Sequence, residues 1–326
     1  MYNMNEKNIK NILIIRNDKI GDLVTATAIF RELKKNFPKS KITALVSKSS
    51  KQIIEKNSNI DDILVADYPP TNYKNFLDYL SVLRDIRKQN FDIGIDLRGS
   101  IFNIMLMHLT NINHKIGYYN RYFSKFFLDY AYKKDRRKTN AIFQRIDIIN
   151  KALNLDSKNY DLEIATDRED ERDAIDIIKR YNLKKFICIV PDASLEYKQW
   201  PLERFDKIIK YIKIYYSSYK IVIIGSDKKK IDQLVKNNKG VIAPPESINL
   251  RVSYLLFKKC SLVITHDGGP MHLAGAANAK IIAFIPKHLN LNYYSPLGKH
   301  IELISDDVKN IDVEKVKKLI DDFLKK

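Results

Sequence analysis

The stretch LVITHDGGPMHLAGAANAKIIAFIP, residues 262–286, carries most of what the chain says about its fold. Two apolar runs flank a segment that holds an acid, two glycines, a proline and a histidine. Each run is short and almost free of polar residues, as in a strand covered on both faces of a parallel sheet. Between them Pro270 stands at the favoured start of a helix, and Gly268 and Gly269 let neighbouring N–H groups point outward together. Ala274, Gly275, Ala276 and Ala277 are small enough to let that helix lie close to a sheet. The reading is strand, turn, helix, strand. A helix start of this kind favours an anion through its free N–H groups and its dipole. Taken singly, Asp267 could equally cap the helix and His272 could be a surface imidazole.

Working outward, the same alternation runs through the rest of the chain. NILIIRNDKIGDLVTATAIFRELKKNF (11–37) opens on the apolar run Ile12 to Ile15, turns at Gly21 and takes helical spacing through Leu33. KITALVS, a helix-like stretch around Lys51 to Asn57, DDILVAD, a helix around Phe76 to Gln89 and FDIGIDLRG continue it. The charged, helix-like segment 161–181 contains the connection between domains, and the pattern restarts at KFICIVPD. A helix from Glu203 to Tyr215, KIVIIGSD, SLVITHDGG and IIAFIP follow, and DVEKVKKLIDDFLKK closes the chain as an amphipathic helix. Strands alternating with helices imply right-handed βαβ units. The expected fold class is therefore α/β, with doubly wound domains at 1–165 and 166–326.

Composition narrows the classes of function. The chain has 326 residues, enough for about two domains of ordinary size. No apolar stretch approaches the ~20 residues needed to cross a membrane. The start lacks the apolar core and cleavage site of a signal peptide. Two cysteines, Cys188 and Cys260, lie in or beside apolar segments and read as buried thiols in a reducing cytoplasm. The formal charge of +18 draws the chain toward anionic surfaces, whether phospholipid, phosphorylated glycolipid or nucleic acid. It also fits a sequence saturated with Lys, Asn and Ile for reasons unrelated to a partner.

Three segments could carry chemistry. In RNDKIGDLVTAT, Asp22 falls where the first helix begins; it is either an N-cap or a carboxylate at the strand edge, able to take a proton from a hydroxyl. Neither a dinucleotide-binding G-x-G-x-x-G nor a Walker A loop is present. In VPDASLEYKQWPLERF, Trp200 reads as core, whereas Lys198 sits on a loop where it could neutralise a phosphate, with Ser194 donating beside it. The third is the opening stretch. No D-x-D pair occurs, and the histidines show no zinc spacing. Lysine and helix dipoles would therefore have to meet any leaving diphosphate. Finally, KIGYYNRYFSKFFLDYAYKKDRRKTN (115–140) interleaves eight basic residues with aromatics, among them Arg121, Lys125, Arg136 and Arg137. It suits a single-strand binder, a glycolipid-docking face or a mobile basic loop, and no nucleic-acid module surrounds it.

Taken in order, GDLVTATAI, FDIGIDLRGS, YKQWPLERF and HDGGPMHLAGA resemble the motifs of the heptosyltransferase family, glycosyltransferase family 9, of lipopolysaccharide assembly. The resemblance covers nearly the whole chain. It implies a GT-B architecture: two Rossmann-like domains facing a central cleft, the first binding acceptor and the second binding nucleotide sugar. It implies inverting, metal-independent transfer of a heptose from an ADP-sugar to an inner-core hydroxyl, with no cofactor. Asp22 would be the general base, and Ser194, Lys198, Asp267, Gly268, Gly269 and His272 would meet the donor. From chemistry alone, Arg121, Lys125, Arg136 and Arg137 would meet an anionic glycolipid at the inner face of the cytoplasmic membrane, with no nucleic acid involved. Two departures stand out: Gly225, Ser226 and Asp227 replace a Gly-Gly turn with a nearby Glu, and Gly268 replaces the usual Thr. The alternatives are another GT-B nucleotide-sugar enzyme, such as an epimerase, or a basic nucleic-acid-binding protein.

Overall fold

The computed structural model describes residues 9–67, 73–120, 122–135, 139–245 and 248–325. The chain divides between Ala165 and Thr166 into two units, each with its own parallel sheet.

In the first unit the strands are β1 (Asn11–Arg16), β2 (Lys41–Val46), β3 (Asp62–Val65), β4 (Ile93–Asp96), β5 (His114–Tyr119) and β6 (Tyr130–Lys133). Their order is β3-β2-β1-β4-β5-β6, with every pairing parallel. Helices α1 (Ile20–Val24), α2 (Thr27–Asn36), α3 (Tyr73–Gln89), α4 (Ile101–Leu109) and α5 (Ala141–Leu153) make the connections. This is the doubly wound order, and its switch point lies at the carboxyl ends of β1 and β4, where such sheets bind ligands. Ile12, Leu13, Ile14 and Ile15 are wholly buried, which accounts for the uninterrupted apolar run of β1.

The second unit holds β7 (Phe186–Ile189), β8 (Lys220–Ile223), β9 (Leu262–His266), β10 (Ile281–Pro286) and β11 (His300–Ser305) in the order β11-β10-β9-β7-β8. A single parallel bridge from Val222 to Ile242 extends the sheet beyond β8. Helices α6 (Arg168–Arg180), α7 (Leu202–Tyr215), α8 (Lys228–Asn237), α9 (Leu250–Lys259), α10 (Gly269–Ala276), α11 (Leu291–Tyr294) and α12 (Val313–Leu324) surround it. Trp200 anchors one face, its ring against Phe284 and Phe205 at 4.6 and 5.0 Å and its indole N–H on the Ile311 carbonyl at 2.9 Å. The switch point here falls between β7 and β9.

Several local expectations change. The helix-like stretch around Lys51 is only a 3-10 turn, Lys51–Ile53. The segment 161–181 is a helix only from Arg168, where Asp167 and Asp170 form a capping box. Part of the basic aromatic stretch is sheet: β5 and β6 both lie within it. Cys188 is buried as expected, whereas Cys260 ends α9 and is partly exposed. Gly275 meets the backbone of Leu297, 3.0 Å from where a Cβ would stand, so the small face of α10 admits a loop and not only the sheet.

Candidate active site

At the first switch point, Asp22 lies in the first turn of α1, not at its cap; Lys19 takes the cap position and offers no side-chain bond. The carboxylate faces two guanidinium groups, Arg16 at the end of β1 and Arg145 on α5. Both arginines are almost wholly buried, at 3 % and 1 % exposure, while the Asp22 side chain keeps 30 %. A carboxylate oriented by two buried cations, with one side still open to solvent, is placed to accept a bond from an incoming group. Arg145 also bonds the hydroxyl of Thr25, which itself donates to the Gly21 carbonyl at 3.0 Å and so holds α1 in place.

The surroundings are built to the same end. Arg16 donates to the Leu97 carbonyl at 2.6 Å and pairs with Asp18 at 3.0 Å, and Arg98 reaches Asp18 at 3.5 Å. Burial pushes the Asp18 carboxyl up, against the pull of Arg16. Asp96, fully buried, accepts from the backbone N–H groups of Arg98, Gly99 and Ser100 and from the Asn103 amide, which fixes the loop after β4. Gly99 is needed there: its φ is +78°, and a Cβ would stand 2.9 Å from the Tyr118 carbonyl oxygen. Lys134 turns inward, donates to the Arg98 carbonyl and lies 5.0 Å from the Tyr118 ring centroid. Burial, with Arg16 and Arg145 adding to it, pushes its ammonium down to about 7.

At the second switch point, Lys198 and Asp267 form a buried ion pair, their side chains 10 % and 7 % exposed. Asp267 therefore does not cap α10; the cap residue is Gly268, which makes no side-chain bond. Lys198 is not one of many solvated lysines, because it closes a short 3-10 turn, Glu196–Lys198, and points into the unit. His272 is nearly buried in the first turn of α10, so it is not a surface imidazole. Gly268 has open space: a Cβ would meet only Pro270 Cδ, at 3.9 Å. Ser194 is exposed on the loop after β7. A recess of about 360 Å³ along the same loop is lined by Pro191, Gln199, Trp200 and Lys230, but by none of the candidate donor residues.

Arg121, Arg136 and Arg137 lie outside the described residues. Lys125 belongs to the 3-10 segment Tyr122–Phe127 and sits 5.6 Å from the Phe126 ring centroid. The sequence reading missed four groups that the fold brings to the switch points: Arg16, Arg145, Lys134 and His266. Arg145 left a signal, a lone cation inside the apolar run IFQRIDII. Among the described residues no cluster of His, Cys, Asp and Glu could hold a metal ion, and no helix is long and apolar enough to cross a membrane.

Comparison with known proteins bears on what the two clusters are for. Over 94 % of its length the chain is 25 % identical to a protein of Escherichia coli K12 provisionally named lipopolysaccharide heptosyltransferase 4, of which the match covers 85 %. Its fold matches that of a family 9 glycosyl transferase from Veillonella parvula with a TM-score of 0.85, at 23 % identity over 97 % of both chains. It also matches the E. coli heptosyltransferase WaaC solved with ADP, with a TM-score of 0.75 at 13 % identity over 96 % of this chain and 99 % of that one. These solved structures carry the fold, α/β of the GT-B class, and a fold alone does not select an activity. The family model does: glycosyltransferase family 9 (heptosyltransferase) matches residues 79–319, so the chain belongs to that family and is a glycosyltransferase.

Proposed function

We propose that the chain transfers a heptose from an ADP-activated donor to a hydroxyl of a lipopolysaccharide inner-core acceptor, with inversion and without a metal ion. The observation that carries this reading is Lys198, buried beside the start of α10 at the switch point of the second sheet. A lysine and a helix N-terminus together suit a diphosphate that gains charge as it leaves. In the first unit, Asp22 takes the proton of the acceptor hydroxyl. The oxygen then attacks the anomeric carbon from the face opposite the diphosphate, the bond to the diphosphate breaks, and the nucleoside diphosphate departs. Lys198, released from Asp267, meets the leaving charge with the N–H groups of Gly269 and its neighbours. Ser194 and His272 complete the donor contacts, and Asp267 becomes free for sugar hydroxyls.

An anionic acceptor suits the guanidinium groups gathered near Asp22: Arg16 and Arg145 against Asp22 itself, and Arg98 on Asp18 beside them. Exposed Phe102 and Leu109 on α4 and Phe126 beside Lys125 support a peripheral position at the inner face of the cytoplasmic membrane. Against the nucleic-acid reading stands the inward turn of Tyr118 and Lys134, which removes these two side chains from any stacking surface of the stretch. The test is transfer itself. ADP-heptose with a heptose-deficient core acceptor should yield ADP and an extended core. Release of ADP from donor alone, or oligonucleotide binding with no turnover of any nucleotide sugar, would refute the proposal.

A further inference from the structure

We infer that His266 is a positioning residue for the donor loop, which it closes by bridging Asp192 and Trp200 through one neutral imidazole. This rests on the reading that Ser194 and Lys198, both on that loop, meet the donor. His266 ends β9 and is 1 % exposed. Its Nε2 lies 2.8 Å from the backbone nitrogen of Trp200, which can only donate, so Nε2 carries the lone pair. The proton is then on Nδ1, which donates to the Asp192 carbonyl at 3.1 Å. Phe205 and Phe284 flank the ring, their centroids 5.6 and 5.5 Å away.

Between these ends the loop is held by short-range bonds of its own and by three side chains outside it: Lys230 on Gln199 at 2.8 Å, Lys309 on Glu196 at 3.7 Å, and Asp267 on Lys198. Lys198 and Gln199 donate from their backbones to Leu195 and Glu196, and the Gln199 amide reaches the Ala193 carbonyl at 3.2 Å. Each end has a further anchor, the Asp192 carboxylate on the backbone of Ser226 and Asp227 and the Trp200 indole on the Ile311 carbonyl, but His266 binds both ends at once, from the last residue of β9. Burial pushes the imidazole down to about 4, with Lys230 assisting and the Asp192 carbonyl and Asp267 opposing. The ring therefore stays neutral at physiological pH, and a cationic ring would turn a donor toward the Trp200 N–H. A loop closed in advance spares the ligand the cost of ordering it.

Three substitutions separate the two bonds. His266→Asn keeps an amide near the Nδ1 position, His266→Gln carries an amide oxygen out toward Nε2, and His266→Phe keeps a ring and loses both bonds. Calorimetry with ADP and turnover of ADP-heptose give the readouts, and emission from Trp200, the only tryptophan, reports whether the loop end is in place. We expect His266→Phe to weaken ADP binding and raise the donor KM roughly tenfold, because the competent loop is then a minor state. Its kcat at saturating donor should stay within about twofold, since bound donor reorders the loop. Asn and Gln should fall between, and they carry the test alone if the Phe variant does not fold. Wild-type donor KM in all folded variants, or a collapse of kcat at unchanged KM, overturns the proposal. Lys198→Ala is the control. If it too leaves ADP binding unchanged, the donor reading fails; if it weakens ADP binding while the His266 variants do not, only the clamp fails.

Discussion

Removing one partner of the Lys198–Asp267 pair has a calculable consequence. Both side chains are at least nine-tenths buried, so Lys198→Met leaves a carboxylate without its compensating cation. Breaking a buried pair in this way costs about 3–5 kcal/mol. For a domain of this size each kcal/mol moves the melting temperature by roughly 2–4 °C, so the transition should fall by about 6–20 °C. Replacing both groups by apolar ones, Lys198→Met with Asp267→Leu, should restore stability to within about 1 kcal/mol, because the desolvation of two charges is removed together with their attraction. Asp267→Asn is the informative single variant. It lowers the stability of the unliganded protein, yet it leaves Lys198 without its internal competitor, so ADP should bind roughly threefold or more tighter. Calorimetric unfolding of the four proteins, with and without saturating ADP, reads both effects, since ligand bound only to the folded state raises the melting temperature. The reasoning fails if either single variant melts within about 2 °C of wild type. It fails equally if the double variant is as unstable as the two losses added, or if Asp267→Asn binds ADP more weakly.

Other outcomes follow from the same structure. Asp22→Asn should lower turnover about 10²–10⁴-fold while ADP affinity stays within twofold, measured by ADP release and by calorimetry. Lys134 titrates at about 7 in the folded protein, against 10.5 for an ordinary lysine. Between these values the unfolded chain holds a proton that the folded one does not, so stability rises with pH there, by up to about 1.4 kcal/mol per unit. Below pH 7 the ammonium is charged in both states and its burial is fully opposed. Lys134→Met should accordingly be more stable than wild type at pH 6–7 and lack the rise toward pH 10 in a series of melts. Chelation by EDTA should leave turnover unchanged within error, because lysine and helix N–H groups meet the diphosphate; loss of activity restored by a divalent cation would contradict this.

How far the site could be read in advance depended on the range of the contacts involved. The strand-turn-helix units around residues 11–37 and 262–286 were legible because apolar runs and turn residues act over a few positions. Lys198 and Asp267 were both marked as candidates from local context, but their pairing, 69 residues apart, is a product of strand order. The same holds for Arg145, which reaches Asp22 across 123 residues. His266 was passed over because an imidazole ending a strand looks like any core histidine until Trp200 and Asp192 are brought to its two nitrogens. Strands β5 and β6 were hidden for another reason: their aromatic and basic residues alternate poorly, and β6 is an edge strand with partly exposed side chains. Periodicity therefore found the buried centre of each sheet and lost a margin of both, β5 and β6 in the first and β11 in the second.

The turn after β8 carries an implication for how this protein could change over evolutionary time. The Asp192 carboxylate takes the backbone N–H groups of Ser226 and Asp227 and the Ser226 hydroxyl. A Cβ at Gly225 would stand 2.6 Å from that carboxylate. Asp192 and Gly225 are thus two halves of one unit: a side chain gained at 225 forces the Asp192 carboxylate to move and loosens its hold on the turn. An acid lost at 192 leaves the amides of Ser226 and Asp227 to water and removes the side chain that fixes the turn. In lineages that keep this turn, changes at the two positions should therefore be coupled.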